Sequence, residues 1–324
     1  MLAAVLGVFS LSSSATLASM PVSPSPPDDA SPPIETPPAL DDGTGVAGRD
    51  GAPGQVTPEG RVPPGATLAM DDLVAWCIVP FDRRKRTPEE RIRMLEDLGF
   101  ERYAYDWRTE HLSDTARELR LARDRGIRVQ AVWMWIDGEQ DAPGRLSRDN
   151  ERLLAAVEEA GVSTQLWVGV NASYLEGRSD EERLARGVEM VRYLSERASA
   201  IDSRVALYNH GDWFGEPENQ IRIIEALPGH EIGIVYNFHH GHEHIDRFDA
   251  LVDRMRPYLW TVNLNGMRKE GPQILPFGEG AHERRMLQRL IDAGFDGPFG
   301  VLGHVDDADV KEVLEGNLKG LGLR

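Results

Sequence analysis

The chain reads as an α/β protein, a (β/α)8 TIM barrel preceded by a signal-like segment and a Pro-rich linker. Three observations predict this. From Leu73 onward, short apolar runs alternate strictly with amphipathic helical stretches, and alternation demands parallel strands joined by right-handed crossovers. Eight such units fill residues 69–324, the usual length of one barrel. Four of the apolar runs stop in histidine, asparagine and glycine: Val205-Ala-Leu-Tyr-Asn-His-Gly, Gly233-Ile-Val-Tyr-Asn-Phe-His-His-Gly-His, Thr261-Val-Asn-Leu-Asn-Gly and Phe299-Gly-Val-Leu-Gly-His. The C-terminal ends of parallel strands are where such a barrel carries its chemistry, so four ends of one kind point to one shared mouth. A doubly wound open sheet is the alternative, but no Gly-rich phosphate-binding turn follows the first strand.

The elements follow in order. The first strand is the apolar run from Leu73 to Phe81. Thr87-Pro88-Glu89-Glu90 then starts a helix with an N-cap, a proline at the first helical position and early acids; Gly99 closes it. Strand two covers 102–107, and its helix runs from Ser113 to about Arg125, ended by Gly126. Strand three is 129–136, with a helix from about Ser147 to Ala160. Strand four is 164–170, with a long helix from about Asp180 to Ala200. Strand five is 205–208, with a helix from Pro217 to Leu227. Strand six is 232–236; Ile245, Phe248, Leu251, Val252 and Met255 then recur at helical spacing. Strand seven is 259–264, followed by a long loop and a helix from Glu283 to Ala293. Strand eight is 299–302, and a last helix covers about Asp307 to Leu318.

The start of the chain has a different composition. Residues 1–20 hold an apolar stretch, Leu2 to Phe9, then small and hydroxyl residues, the pattern of a secretory signal peptide cut near Ala18. No Lys or Arg precedes Arg49. On this reading the protein is exported, to the periplasm or the extracellular space. Residues 21–68 are rich in Pro, Ser, Gly and Asp; such a segment cannot bury enough apolar surface to offset its ordering entropy and is expected to be a disordered linker. No stretch is long and apolar enough for a membrane span of about 20 residues.

The net charge of −17 disfavours binding to nucleic-acid phosphates, which requires Lys and Arg. The single cysteine, Cys77, lies inside an apolar run and is expected to act as a small buried hydrophobe.

Taken together, Ala206-Leu-Tyr-Asn-His-Gly, Gly233-Ile-Val-Tyr-Asn-Phe-His-His, Pro276-Phe-Gly-Glu-Gly and the closing Asp309 … Asn317-Leu-Lys-Gly-Leu resemble the xylose isomerase-like barrels of sugar isomerases, epimerases and endonuclease IV. The resemblance covers about 70–324. It implies a divalent metal at the mouth, held by Glu, Asp, His and Glu on strands five to eight. By motif those ligands fall on Tyr208, Asn237, Asn263 and Leu302. None is the family residue, so the metal-assisted enediol mechanism does not carry over with them.

Residues two apart share one face of a strand. Two positions beyond those four stand His210, His239, Asn265 and His304. If the strands stay regular, the polar centre has moved one layer toward the mouth and become His-rich. His210, His239 and His304, with His240, then either hold one divalent transition metal (Zn, Mn, Fe or Co) or act on substrate without any cofactor. His230 and His244 are expected to be solvated helix-end residues.

Around them stand candidates of two kinds. Asn209, Asn237, Asn263 and Asn265 supply amides for a substrate or an enediolate. Arg108 grips a carboxylate or hydroxyl, or pairs locally with Asp106 or Glu110. Trp135, with Trp133 on the same face, floors a sugar pocket or packs the core. Arg268, beside Lys269, holds an anionic group or is solvated. Glu279 serves acid–base work or structures its loop, and Glu216 caps a helix or reaches the mouth.

The expected function is a carbohydrate isomerase- or epimerase-like enzyme acting on a small sugar or keto-sugar, with His210, His239, His304 and Glu279 as the catalytic set. A lyase or hydrolase on a modified glycoside, for which Asp137 with Glu279 would be the carboxylate pair, is a second reading. A non-catalytic sugar-binding barrel is the third.

Overall fold

The computed structural model describes residues 68–270 and 272–324. The signal-like segment and the linker expected over 1–68 lie, but for Leu68, outside the described residues. The strands β1 (Leu73–Trp76), β2 (Arg102–Tyr105), β3 (Arg128–Ile136), β4 (Gln165–Val170), β5 (Arg204–Tyr208), β6 (Ile232–Asn237), β7 (Leu259–Leu264) and β8 (Phe299–Leu302) form a closed parallel barrel in sequence order, with β8 pairing back onto β1. The (β/α)8 expectation holds.

The helices are α1 (Pro88–Leu98), α2 (Thr115–Asp124), α3 (Arg148–Ala160), α4 (Asp180–Ser199), α5 (Asp212–Gly215), α6 (Pro217–Glu225), α7 (Phe248–Met255), α8 (Glu283–Asp292) and α9 (Val310–Leu321). The start of α1 follows its sequence signature: Thr87 Oγ1 accepts from Glu90 N, and Glu90 Oε2 accepts from Thr87 N at 2.9 Å. Among the described residues, no helix is long and apolar enough to cross a membrane.

Strand two ends two residues sooner than expected and the last helix begins three later, at Val310; three further differences have a local reason. The first strand ends at Trp76, not Phe81. Cys77 takes a left-handed backbone (φ 56°), which an extended ladder cannot continue, and Gly303 N closes onto Trp76 O instead. The short α5 was not expected; four residues carry too little periodicity to read. The sixth helix begins later, because residues 242–247 form a tighter 3-10 turn ahead of α7.

Alternation along the strands sorts side chains into two cores. Leu73, Ala75, Tyr103, Tyr105 and Val262 face the helices. Val74, Trp76, Ala104, Ala131, Trp167, Ala206, Tyr208, Val235 and Leu302 fill the barrel itself. Small residues on β2, β3 and β5 leave room for large ones on β1 and β4. The Trp76 and Trp167 rings meet edge to face, 4.9 Å between centroids. An eight-stranded barrel is packed rather than hollow, and here aromatic rings do the packing. They form the floor beneath the mouth.

Buried ion pairs brace the outside. Arg86 bridges Asp82 (2.7 Å) and Asp309 (2.6 Å), tying the loop after β1 to the loop after β8 across the seam where the barrel closes. Arg91 on α1 pairs with Glu118 on α2 at 3.1 Å.

Candidate functional site

The lower layer of the mouth lies just above the aromatic floor. The Tyr208 hydroxyl, at the end of β5, accepts from Trp76 Nε1 at 3.1 Å and from Asn237 Nδ2. Asn263 on β7 reaches toward the same hydroxyl without closing a well-formed hydrogen bond. Gly300 on β8 makes room for that amide, since a Cβ there would collide with Asn263 Oδ1. Burial pushes the Tyr208 phenol far above its ordinary range, so it stays protonated. The positions that match the family's metal ligands thus hold a neutral network of phenol, indole and amide, completed by the Leu302 side chain.

The upper layer comes together, although not by regular strands. Asn237 caps a 3-10 turn, Phe238–His240, by accepting from His239 N at 3.1 Å. The turn puts two consecutive histidines into the mouth where an extended strand would have put one. The imidazoles follow one another in a row: His210 to His240, 4.3 Å between centroids; His240 to His239, 4.3 Å; His239 to His304, 5.7 Å. Rings extend the row at both ends. Trp135 meets His210 edge to face at 4.9 Å and stacks on Trp133 at 5.8 Å. Phe81 lies on His304 at 3.6 Å, with the Arg108 guanidinium 5.4 Å over the Phe81 ring. Burial holds the His240 imidazole well below the usual histidine range, and the neighbouring His239, His210, His304 and His242 push the same way. His240 is therefore neutral near pH 7.

The other candidates are placed as follows. Asn209 uses both ends of its amide on the Asn237 backbone (2.6 and 3.0 Å), lacing β5 to β6. Asn265 donates to the carbonyls of Gly266 and Gln273 and shapes loop seven. Arg268 donates to the Glu279 carbonyl at 2.8 Å, and Lys269 pairs with Asp246. Glu279 is exposed. The loop-structuring task falls to Glu283, buried, whose carboxylate accepts from the backbone of Met267, Gly278 and Gly280 at 3.0 Å each.

Two residues differ from their expected surroundings. His244 is not a solvated helix-end residue but is buried, 4 % exposed, and bonded at both ring nitrogens. Glu216 does not cap α6 with its side chain; its carboxylate goes to His244 and Arg247 instead. Asp106, expected at the strand-two end as a local partner of Arg108, is buried and points inward at the end of β2, where its Oδ1 accepts from Ile78 N and Val79 N at 3.2 Å each. Burial raises its carboxyl to about 6, against the pull of Arg108.

A divalent metal fits this donor set poorly. The lower layer offers neutral oxygen and nitrogen atoms, those of Tyr208 and Asn237 bonded to each other and those of Asn263 left over, where a hard cation calls for carboxylates. Among the described residues no three His, Cys, Asp or Glu side chains form a group that could hold a metal ion. What the mouth does offer is the neutral imidazole of His240 beside flat ring faces, a setting suited to proton transfer and to stacking against a flat apolar surface.

A family model described as xylose isomerase-like TIM barrel matches residues 92–317. Among solved structures, the apo form of 3-keto-D-glucoside 4-epimerase from E. coli aligns with a TM-score of 0.58 at 18% identity, covering 78% of this chain and 99% of its own. D-psicose 3-epimerase in the presence of D-fructose aligns at 0.55 with 14% identity, covering 77% of this chain and 99% of its own. A probable 3-DHS dehydratase from Bacillus anthracis aligns at 0.55 with 16% identity, covering 77% and 98%. At such identities the likeness establishes the fold. No curated protein matches the sequence.

Proposed function

Because the chain belongs to the xylose isomerase-like TIM barrel family, we propose that it is a carbohydrate isomerase- or epimerase-like enzyme that moves a proton next to the carbonyl of a sugar or keto-sugar. The observation that carries this reading is the row His210–His240–His239–His304 above a metal layer turned neutral. The solved epimerases with the same fold support the substrate class.

In the proposed chemistry a nitrogen of His240, held neutral, takes the proton from the carbon beside the carbonyl. The electron pair of that C–H bond forms a carbon–carbon double bond, and the carbonyl π pair moves onto oxygen. The developing enediolate is met by N–H donors of His239 or His304, which replace the electrostatic role of a cation. For isomerisation the His240 imidazolium gives the proton to the neighbouring carbon on the same face; for epimerisation a solvent-derived proton, carried by another imidazole of the row, reaches the other face of the same carbon while His240 releases its proton to solvent. Trp135 supplies a face for the sugar ring.

The test is solvent exchange. Purified full-length chain is incubated with D-psicose or D-fructose in D2O, and deuterium at the carbon beside the carbonyl is followed by NMR. The reading expects incorporation in the parent and its loss in His240→Ala. A second reading, a sugar-binding barrel without turnover, is favoured by the aromatic rings packed where the family holds its metal. Saturable sugar binding with no incorporation in the parent would establish that reading instead.

A further inference from the structure

Behind the histidine row, on the helix side of β6, lies a second chain of polar groups that the proposed chemistry does not use. The Tyr236 hydroxyl sits 2.9 Å from His244 Nδ1. His244 Nε2 sits 3.2 Å from Glu216 Oε1. The other Glu216 oxygen accepts from Arg247 at 2.5 Å, and Arg247 donates to Glu218 at 2.6 Å. Tyr236 and His244 are buried. One neutral imidazole tautomer satisfies the chain: the phenol donates to Nδ1, and Nε2–H donates to the carboxylate.

The chain grips the segment that carries His239 and His240. Its backbone is closed at one end by His239 N on Asn237 Oδ1 and at the other by His244 N on Gly241 O at 3.0 Å. Gly241 lies directly against the Tyr236 hydroxyl, so that a Cβ there would collide with it. Glu216 belongs to the preceding unit, at the start of α6, close beyond His210. The relay therefore joins the loop bearing His210 to the turn bearing His239 and His240.

We propose that His244 is a positioning residue: by bridging Tyr236 to Glu216 it fixes the turn of His239 and His240 against His210. This rests on the reading that those imidazoles act on substrate, but its structural half is independent of turnover. Misplacing a reacting group by about 1 Å can lower a rate by about 10²-fold, so a brace of this kind acts on kcat more than on KM.

The experiment uses the full chain with His244→Leu, His244→Gln and Tyr236→Phe. Glutamine can accept from Tyr236 and donate to Glu216; leucine can do neither. Amide hydrogen exchange at residues 238–241 is measured beside that of α2, and kcat and KM are measured on D-psicose where the parent turns over. The expected result is exchange about tenfold faster at 238–241 in His244→Leu with α2 unchanged. With it goes a kcat about 10–100-fold lower at little change in KM, and recovery of both in His244→Gln. Parent-like exchange at 238–241 in His244→Leu would overturn the proposal. A His244→Gln chain as inactive as His244→Leu would overturn it too, since the imidazole itself would then be chemical. If His244→Leu fails to fold, Tyr236→Phe decides, with faster exchange confined to 238–241 expected and parent-like exchange refuting. A parent without turnover removes the proposed function but leaves the exchange result standing.

Discussion

The imidazoles of His210 and His240 lie 4.3 Å apart, although one follows β5 and the other sits in a 3-10 turn after β6. Burial first, and then the neighbouring His239 and His210 rings, disfavour charge on His240. Replacing His240 by alanine is expected to lower kcat/KM on a keto-sugar by about 10²–10⁴-fold. His210→Ala acts in the same direction and less than additively with it. A double variant whose losses multiply would show that the two rings act apart.

The pH profile follows from the burial of His240. His240 has its pKa held well below the histidine range, and the neutral form is the competent one. Activity that depends on it should stay level as pH falls from 8 through the ordinary histidine range near 6.5 and decline only at more acid pH. A rate profile breaking near the unperturbed value would contradict the packing described.

Trp135 is half exposed at the edge of the row. Trp135→Ala is expected to weaken sugar binding by about tenfold, the loss of one aromatic face, with unfolding unchanged within about 1 kcal/mol. Calorimetric titration with D-fructose and a denaturant curve measure the two effects separately.

Asp106 predicts a stability difference of known sign. Its carboxyl, raised to about 6 by burial, binds a proton more tightly in the folded chain than in the unfolded one. Its contribution is intact below about pH 4 and is lost as pH rises through about 6. Asp106→Asn keeps an oxygen for the amides of Ile78 and Val79 and carries no charge. The variant should exceed the parent by about 2–3 kcal/mol above pH 7, with the gap closing toward pH 4. Glu118, raised to about 7 mainly by burial and also by the Asp106 charge, adds to the slope in both proteins and a little less in the variant, so the difference between their denaturant curves carries both effects in the same direction.

Arg86 sits between Asp82 and Asp309, with side chains 7 %, 0 % and 10 % exposed. Arg86→Met would leave two carboxylates buried without their cation at the β1–β8 seam. A loss of about 3–5 kcal/mol is expected in chemical unfolding. A loss under about 1 kcal/mol would mean that the loops reopen to water.

Much of the barrel was legible because strand and helix periods alternate without interruption from Leu73 on, and because helix starts such as Thr87-Pro88 and stops such as Gly99 act locally. The gathering of His210, His239 and His304 was legible for the same reason, since strand ends share one rim. The turn at Phe238–His240 was not. It depends on the Asn237 side chain capping its own turn, while regular alternation would have turned His240 away from the mouth. Nor could His244 be read as buried, since its partners Tyr236 and Glu216 meet it only once the helices pack. Asn209 looked like a substrate ligand because nothing in a sequence reveals that a neighbouring strand end will take both sides of its amide.

The indole of Trp76 touches Trp133, Trp167 and Tyr208 inside the strands. Anyone wishing to graft an ion-binding centre back into this protein would therefore have to hollow it first. Carboxylates set around an indole find neither hydration nor a counter-charge. A lone acidic substitution in so crowded a core would surface as a folding defect rather than as a new site.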